Sequence, residues 1–461
     1  MLGQVLSSQA WGRVSDHYGR RFPLVVGLVV SGFMMLGFGL STNLWLSVFF
    51  RFMHGLFSGN VHIAKTVIAD VTDKTNMAKG FSFVAATFSI GFMVGPVIGS
   101  FFYDPANSSF FRSLGVSKDG VFSRKPALLM GIAVLLYSLV SAALCVVVLQ
   151  ESNVNAHPLP DKMKMCFPFM YYPSKRFEKP PPPEQEEIQD APQNEQTNTG
   201  DAKADSAKKD EDASEQSSDH REEEEEEEHS EQVVIAEEHK ESFGYKEAFQ
   251  LKNTRYMLLQ YMIVCAADMV MRECFPLMAT ATVAAGCLGY SKNKIAIVLL
   301  INSIPTLISN IFFSYFSKKY VNQMELFRVG AGGAAVLIFL LTLTPYVPTG
   351  YFSLFLVTLC SSAAAFFPPF CYSINNMCTA KAAPAEHVGS LMGINQSCGS
   401  IMRAIVPVLA SVLFAWSISG NHIFPFNHAF VFVLSSLLYV FVFYRSYAIA
   451  TRDDMTLEMS L

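Results

Sequence analysis

Five polar side chains recur along one long apolar segment of the chain. Arg51, His54, Ser58, His62 and Lys65 are spaced three or four residues apart, which places them on a narrow stripe if the segment is helical. Such groups bind ions and polar solutes. Because a buried charge costs roughly 2.5–3.5 kcal/mol on membrane-insertion scales, the stripe indicates a solvated pathway unless the charge is paired. For His62 and Lys65, extension towards the nearer membrane surface is an equal alternative.

A second group of charges interrupts another apolar segment. Asp268 and Arg272 are four residues apart and can pair within one helix. Glu273 lies roughly 140° around the helix from Asp268 and has no partner at helical spacing. Since a desolvated carboxyl group can exchange protons near neutral pH, Glu273 is the best candidate for a reversibly protonated residue.

The elements that position these groups must be apolar helices. The 461 residues are 51% hydrophobic and 13% aromatic, with a mean hydropathy of +0.30. This composition indicates an integral, multi-pass membrane protein with the lipid bilayer as its solvent. Long apolar runs such as 127–149 exclude a β-barrel, so we expect an all-α membrane fold. No motif supports an enzyme, and nothing supports nucleic-acid binding.

Two groups of membrane-spanning helices are predicted around a central linker. The domains are a first transmembrane bundle at 1–149, a linker at 150–250, a second bundle at 251–450 and a tail at 451–461. The predicted spans are 1–11, 22–40, 44–69, 80–102 and 127–149, followed by 256–281, 295–316, 326–343, 352–378, 388–416 and 429–448.

The linker has the composition of a disordered segment. It contains four consecutive prolines at 180–183 and seven consecutive glutamates at 222–228, and it cannot bury enough apolar surface to fold. His220, His229 and His239 could weakly collect divalent cations, but a plain charged linker is the preferred interpretation. The nine cysteines include no C-x-x-C pair, so we expect no disulfide framework, metal site or cofactor.

Basic residues in the short loops predict the orientation. The positive-inside rule assigns to the cytosol the side that also carries the linker and the C-terminal tail. The loop 104–125 is a basic exception, and its sequon makes Asn107 a candidate glycosylation site on the other side. The plasma membrane and an endomembrane such as the vacuolar membrane both remain open. The basic residues on the predicted cytosolic side are Arg13, Arg20, Arg21, Lys74, Lys79, Lys318, Lys319 and Lys381.

The segment 12–21 has a more specific pattern than a basic turn. Gly12 allows close helix contact, Gly19 allows a tight turn, and Asp16 can pair with Arg20. Its sequence, GRVSDHYGRR, resembles the cytoplasmic signature of the major facilitator superfamily, G-x-x-x-D-[RK]-x-G-R-[RK], with His17 at the position of a permanent cation. We call residues 12–21, which end at Arg21, the signature segment.

The resemblance implies a major facilitator fold with two helical bundles and a gating charge cluster of Asp16, Arg20 and Asp70. Counting from the signature, one helix is expected before Met1, so the eleven visible spans would belong to a 6 + 6 arrangement. Arg51, Gly55 and Gly59 resemble the R-x-x-x-G-x-x-x-G pattern of the family's fourth helix.

A second motif resembles the fifth-helix signature of the family's antiporters. GFMVGPVIGS supplies Gly91, Gly95, Pro96 and Gly99 of the pattern G-x-x-x-G-P-x-x-G-G, with Ser100 replacing the last glycine. The resemblance favours antiport, and a purely structural kink is the alternative.

Segments of the second bundle resemble eukaryotic zinc-induced-facilitator-like transporters of the drug:proton antiporter branch. These segments are 272–277, 288–291, 375–376 and 403–407. The resemblance implies proton-coupled antiport of a small molecule or ion by alternating access, with Asn375, Asn376 and Arg403 among the pathway residues. The alternatives are an uncoupled facilitator of the same fold and a transport-inactive receptor or scaffold acting through the acidic linker.

Overall fold

The computed structural model is built from α-helices joined by short loops, which confirms the predicted all-α membrane fold. It describes residues 1–73, 75–117, 120–153, 156–157, 243–320, 322–348, 350–420 and 422–450. Lys74, most of the predicted linker with its histidines and glutamate run, and the tail 451–461 lie outside the described residues.

Among the described residues, the first half of the chain supplies four helices of 17 or more residues and four shorter ones. Its second helix packs along its last, and its first helix packs against the second half. The helices are α1 (Leu2–Tyr18), α2 (Arg21–Leu40), α3 (Leu44–Leu56), α4 (Asn60–Val71), α5 (Met77–Phe102), α6 (Ser109–Ser113), α7 (Val121–Arg124) and α8 (Leu128–Val148).

The second half contains the larger buried core, in which the rings of Phe327, Phe432 and Tyr439 are fully enclosed. Its first helix, which buries Ala248, lies within the segment 150–250 that the sequence assigns to the linker. The helices are α9 (Tyr245–Gln250), α10 (Lys252–Thr280), α11 (Lys292–Lys319), α12 (Gln323–Leu341), α13 (Tyr351–Phe366), α14 (Pro368–Lys381), α15 (Val388–Ser419) and α16 (Phe430–Ala450).

By length and composition, eight helical segments of the described chain can cross a membrane. The predicted spans 1–11, 44–69 and 256–281 are helical but are not among those eight. They contain or adjoin the signature segment, the polar stripe and the charges around Asp268. The helices least suited to lipid therefore carry most of the charged candidate site residues.

The prediction of one unbroken helix over 44–69 is wrong, because α3 ends at Leu56 and α4 begins at Asn60. Side chains of α1 bind carbonyl groups at the break: Trp11 Nε1 donates to Leu56 O at 2.7 Å and Gln4 Nε2 donates to Ser58 O at 3.4 Å. These bonds replace helical partners and stabilise the interruption. A similar interruption at Phe367 separates α13 from α14 within the predicted span 352–378.

A glycine contact sets the distance between α2 and α8. A Cβ atom added at Gly131 would lie 3.0 Å from Met35 O and 3.3 Å from Leu36 Cα, which are backbone atoms that cannot rotate away. A Cβ atom at Gly95 of α5 would meet no other atom within 4 Å.

We predict that Gly131→Ala lowers the free energy of unfolding by about 1–3 kcal/mol, because α2 must shift to accommodate the methyl group. The matched control, Gly95→Ala, should be neutral or slightly stabilising, since alanine favours helix and the added methyl group has free space. Thermal unfolding of the purified protein in detergent measures both effects. Equal melting temperatures for the two variants would contradict the tight contact.

Candidate functional site

A carboxylate of the first half caps a helix of the second half. Asp16 Oδ1 accepts a hydrogen bond from Gly389 N at 2.8 Å, and Asp16 Oδ2 accepts bonds from Ser390 N at 2.6 Å and Ser390 Oγ at 2.5 Å. These amides belong to the first turn of α15, where no partner exists within the helix. The negative charge also complements the positive end of the helix dipole. We call the end of the bundle that carries this contact the motif end.

Arg20 joins this carboxylate to a second one. Its Nη1 lies 2.5 Å from Asp16 Oδ1, and its Nε lies 2.9 Å from Asp70 Oδ2 on α4. The whole Arg20 residue is only 3% exposed, so its positive charge is compensated within the protein. The structure thus brings together the three residues that the sequence suggested as a cluster, and we call them the motif-end cluster.

The glycines of the signature segment allow the backbone to come close to its neighbours. A Cβ atom at Gly12 would overlap the carbonyl of Gly389, so the backbones of α1 and α15 are in contact there. Gly19 has a φ of +92°, a conformation that side chains disfavour, and a Cβ atom there would lie 2.5 Å from Glu151 Oε2. Arg21, the last residue of the segment, donates from Nη2 to Val146 O of α8.

Residues just after α8 also bind the motif-end cluster. Glu151 accepts bonds from Arg20 N at 2.8 Å and Arg21 N at 3.2 Å. Ser152 Oγ donates to Asp70 Oδ2 at 3.1 Å, and Asn153 Nδ2 donates to Asp16 O at 2.7 Å. Sequence reasoning missed these residues because it assigned them to the linker. Their one signal was three polar side chains directly after an apolar span.

His17, the departure from the family signature, contacts a second histidine. The rings of His17 and His157 stack with centroids 4.6 Å apart, and His157 N donates to His17 O at 2.8 Å. Partial burial, and then the nearby His157, lower the pKa of His17 below its ordinary value. Protonation of His17 is therefore less favourable in this contact than in water.

The predicted polar stripe is divided between two helices by the break at 57–59. Arg51 is exposed on α3, with its guanidinium 4.4 Å from the centroid of the Phe38 ring. His54 and Ser58 are half-buried, and His62 on α4 is buried. One helical turn further, Lys65 reaches into the second half, so the predicted alternative of extension to the membrane surface is not what the structure has.

The charged residues of α10 form a local pair. Arg272 Nε lies 2.7 Å from Asp268 Oδ2, and the Tyr372 hydroxyl donates to the same oxygen at 3.0 Å. Asp268 is buried, whereas Glu273 is exposed, and no described cation lies within ion-pair distance of it. The burial that favoured Glu273 for proton exchange is therefore found at Asp268, because the face of α10 that meets α14 carries Asp268.

The remaining predicted residues of the second half lie on α14 and α15. Asn375 is buried, and Asn376 accepts a bond from Asn395 Nδ2 at 3.2 Å. The Arg403 guanidinium lies beside Gly399, where an added Cβ atom would be 3.0 Å from Nη2. Arg403 also interacts with the Tyr261 hydroxyl.

Two predicted motifs make few contacts. Gly91 and Gly95 of the α5 motif have no atom within 4 Å of an added Cβ atom, and Gly99 meets only Met130 Sδ, at 3.9 Å. The α5 helix continues through Pro96. At the end opposite the motif end, Asn107 is exposed and donates to Asp104 Oδ2 at 2.7 Å.

Contacts between the two halves continue beyond the motif-end cluster. Ser397 Oγ donates to Val5 O at 3.0 Å and Ser400 Oγ donates to Gln4 Oε1 at 3.2 Å. These bonds join α1 to α15 over several helical turns from the motif end.

An all-α, multi-pass bundle with polar groups buried between its helices is typical of membrane transporters. A sequence profile of the Major Facilitator Superfamily matches residues 1–407 and 256–452, and the chain belongs to this family.

Similar proteins extend over nearly the whole chain. The protein ZINC INDUCED FACILITATOR-LIKE 1 of Arabidopsis thaliana is 23% identical over 447 residues, covering 95% of this chain and 78% of that protein. The human organic anion transporter MFSD10 (TETRAN) has a similar fold, with a TM-score of 0.57 and 12% identity over 96% of this chain and 81% of that one. A bacterial homologue of the iron transporter ferroportin in an outward-facing state gives a TM-score of 0.59 and 11% identity over 97% and 88%.

We predict that Asp16→Asn opens the motif end. The amide loses the ion pair with Arg20 and two charge-assisted bonds to α15, and hydrogen bonds to charged groups are worth roughly 1.5–3 kcal/mol each. The ratio of closed to open molecules should fall roughly tenfold or more. Spin labels at the exposed positions 79 and 318, on α5 and α11, report the opening as a longer distance in pulsed electron paramagnetic resonance. Asp104→Asn is the matched control, and an unchanged distance distribution in Asp16→Asn would refute the role of the cap.

We further predict that acid lowers the stability of the protein through His17. Because the pKa of His17 is lowered in the folded protein, the unfolded chain binds more protons as the pH falls below about 6.5, the ordinary histidine value. The melting temperature of the purified protein should therefore fall between about pH 7.5 and about pH 5. This fall should be smaller in His17→Gln, whereas His422→Gln, in the loop at the other end, should retain it. Equal falls in the two variants would exclude His17 as a contributor.

Proposed function

We propose that this protein is a proton-coupled antiporter that moves a small solute by alternating access. The observation that carries the proposal is the bond from Asp16 to the first turn of α15, which joins the two halves at the motif end. The signature segment is proposed to face the cytosol, with the linker and the tail, in the plasma membrane or an endomembrane. The described conformation is then closed on the cytosolic side.

Gating in this proposal belongs to the motif-end cluster. Opening the motif end must separate Asp16 from α15 and leave a buried charge that needs another partner. Arg20 and Asp70 can retain each other when α15 departs, since both lie in the first half. The bond between Arg20 and Asp70 therefore lowers the free energy of the open state. The closed state is still preferred, because only it has the bonds from Asp16 to α15.

Proton coupling is assigned to the ion pair between Asp268 and Arg272. Protonation of Asp268 would neutralise its side of the pair and free the Arg272 guanidinium, which lies 6.0 Å from the Phe92 ring of α5. A change at this ion pair of the second half would thereby alter the position of Arg272 beside the first half. The resemblance of the α5 motif to antiporter signatures supports exchange rather than co-transport.

We predict that Asp268→Asn lowers the rate of uptake driven by a pH gradient tenfold or more. Exchange of labelled for unlabelled substrate across the membrane should persist. The protein is reconstituted in liposomes, an inward or outward pH gradient is imposed, and metals, organic acids and cationic drugs are screened. Glu273→Gln, which removes the same charge five residues along α10, is the matched control and should retain gradient-driven transport.

Other outcomes separate the alternatives. Transport that is indifferent to the pH gradient in the unmodified protein would identify an uncoupled facilitator. Loss of gradient-driven transport in Glu273→Gln but not in Asp268→Asn would move the proton site to the exposed carboxylate.

A further inference from the structure

Lys65 connects the two halves through an amide network. Its Nζ donates to Asn376 Oδ1 on α14 at 3.3 Å, and Asn395 Nδ2 on α15 donates to the same oxygen at 3.2 Å. An ammonium group has three donors. Among the residues that the structure describes, this single bond accounts for one of them, so two remain for an additional acceptor.

Arg403 presents a second cation from the other half. Gly399, one turn earlier on α15, leaves space for the guanidinium, since an added Cβ atom would lie 3.0 Å from Arg403 Nη2 and 3.3 Å from Cys265 Sγ. The Tyr261 hydroxyl interacts with the guanidinium from α10. Arg403 Nη2 is buried and makes no hydrogen bond within the described part of the chain.

The two cations approach the same part of the site. Arg403 Nη2 lies beside Gly399, one helical turn from Asn395, and the Asn395 amide shares the acceptor of Lys65 Nζ. Among the described residues, no carboxylate is within ion-pair distance of either cation, and the buried Asp268 is bonded to Arg272 and Tyr372. Like charges without a counterion are unfavourable away from bulk water. The region between α4 and α15 therefore has a surplus of positive charge and of unused donors.

A buried imidazole adds to this surplus. His62, one turn before Lys65 on α4, is 1% exposed, and neither ring nitrogen has a hydrogen-bond partner among the described residues. A neutral imidazole carries one N–H donor and one acceptor nitrogen. Buried donors without partners are costly, so the site is suited to an acceptor that comes from outside the protein.

We propose that Lys65 and Arg403 bind the oxyanion group of a small anionic substrate. This inference rests on the transport function proposed above and names the class of solute. A carboxylate or phosphate offers lone pairs for several donors at once, and the planar guanidinium can bind two of its oxygens. The bound anion would replace one repulsion between cations by two attractions.

The position of the two cations also links binding to conformational change. Lys65 belongs to the first half and Arg403 to the second, so an anion between them draws α4 and α15 together. Release of the anion restores the repulsion and favours separation. A ligand shifts a conformational equilibrium only by its differential affinity for the two states, and this bridging contact supplies such a difference.

The test measures binding directly, in the purified full chain reconstituted in lipid nanodiscs. Benzoate, phenyl phosphate and the neutral isostere benzamide are titrated by calorimetry and by thermal shift. We expect at least one of the two anions to bind and benzamide not to bind. Lys65→Met and Arg403→Gln should each weaken anion binding tenfold or more, whereas Arg403→Lys should retain part of it. Lys79→Met, which removes an exposed charge at the motif end, is the matched control.

The outcomes distinguish this inference from the proposed function. Equal binding of benzamide and the anions, absence of binding by both anions, or unchanged binding in Lys65→Met and Arg403→Gln would overturn the anion site. Anion binding with these losses supports the inference even where a pH gradient drives no transport. Gradient-driven transport of a cation, unaffected by either substitution, would refute the inference and leave the antiporter proposal intact. An unchanged elution profile of each variant, and anion binding by Arg403→Lys, would show that the variants are folded.

Discussion

The bond between Asp16 and the first turn of α15 is the interaction on which the described conformation depends. Amides at a helix start need acceptors, and here the acceptor comes from the other half of the molecule. The carboxylate is held in turn by Arg20, and Arg20 by Asp70. Because each group compensates a buried neighbour, we expect loss of one contact to weaken the others, so that the bonds of the motif end form together.

Close backbone contact makes this bond possible. The carbonyl of Gly389 occupies the space where a side chain at Gly12 would begin, and the carbonyl of Ser8 does the same at Gly393. Small residues at such crossings let helices approach within lipid, where no hydrophobic force drives them together. This geometry restricts α1 and α15 to one relative position. A shift of either helix along its axis would bring side chains into collision and remove Asp16 from the amides of α15.

Local spacing explains what could be predicted from the sequence. Asp16 and Arg20 are one helical turn apart, and the family pattern supplied Asp70, so this part of the site was accessible from the residues alone. The break before Asn60 was not, because the groups that stabilise it lie on α1, more than forty residues away. Helical angles placed Glu273 opposite Asp268 correctly, but they do not say which face a neighbouring helix covers. That depends on tertiary packing, and α14 covers Asp268.

The pairing of Asp268 with Arg272 also bears on how the protein enters the membrane. A helix that carries two isolated charges and a third at Glu273 is a poor substrate for insertion, at roughly 2.5–3.5 kcal/mol per charge near its centre. Charges four residues apart can neutralise each other inside one nascent helix, before the later helices of the second half have been synthesised. We therefore expect the ion pair to ease the insertion of α10 into the bilayer before α14 supplies the Tyr372 hydroxyl.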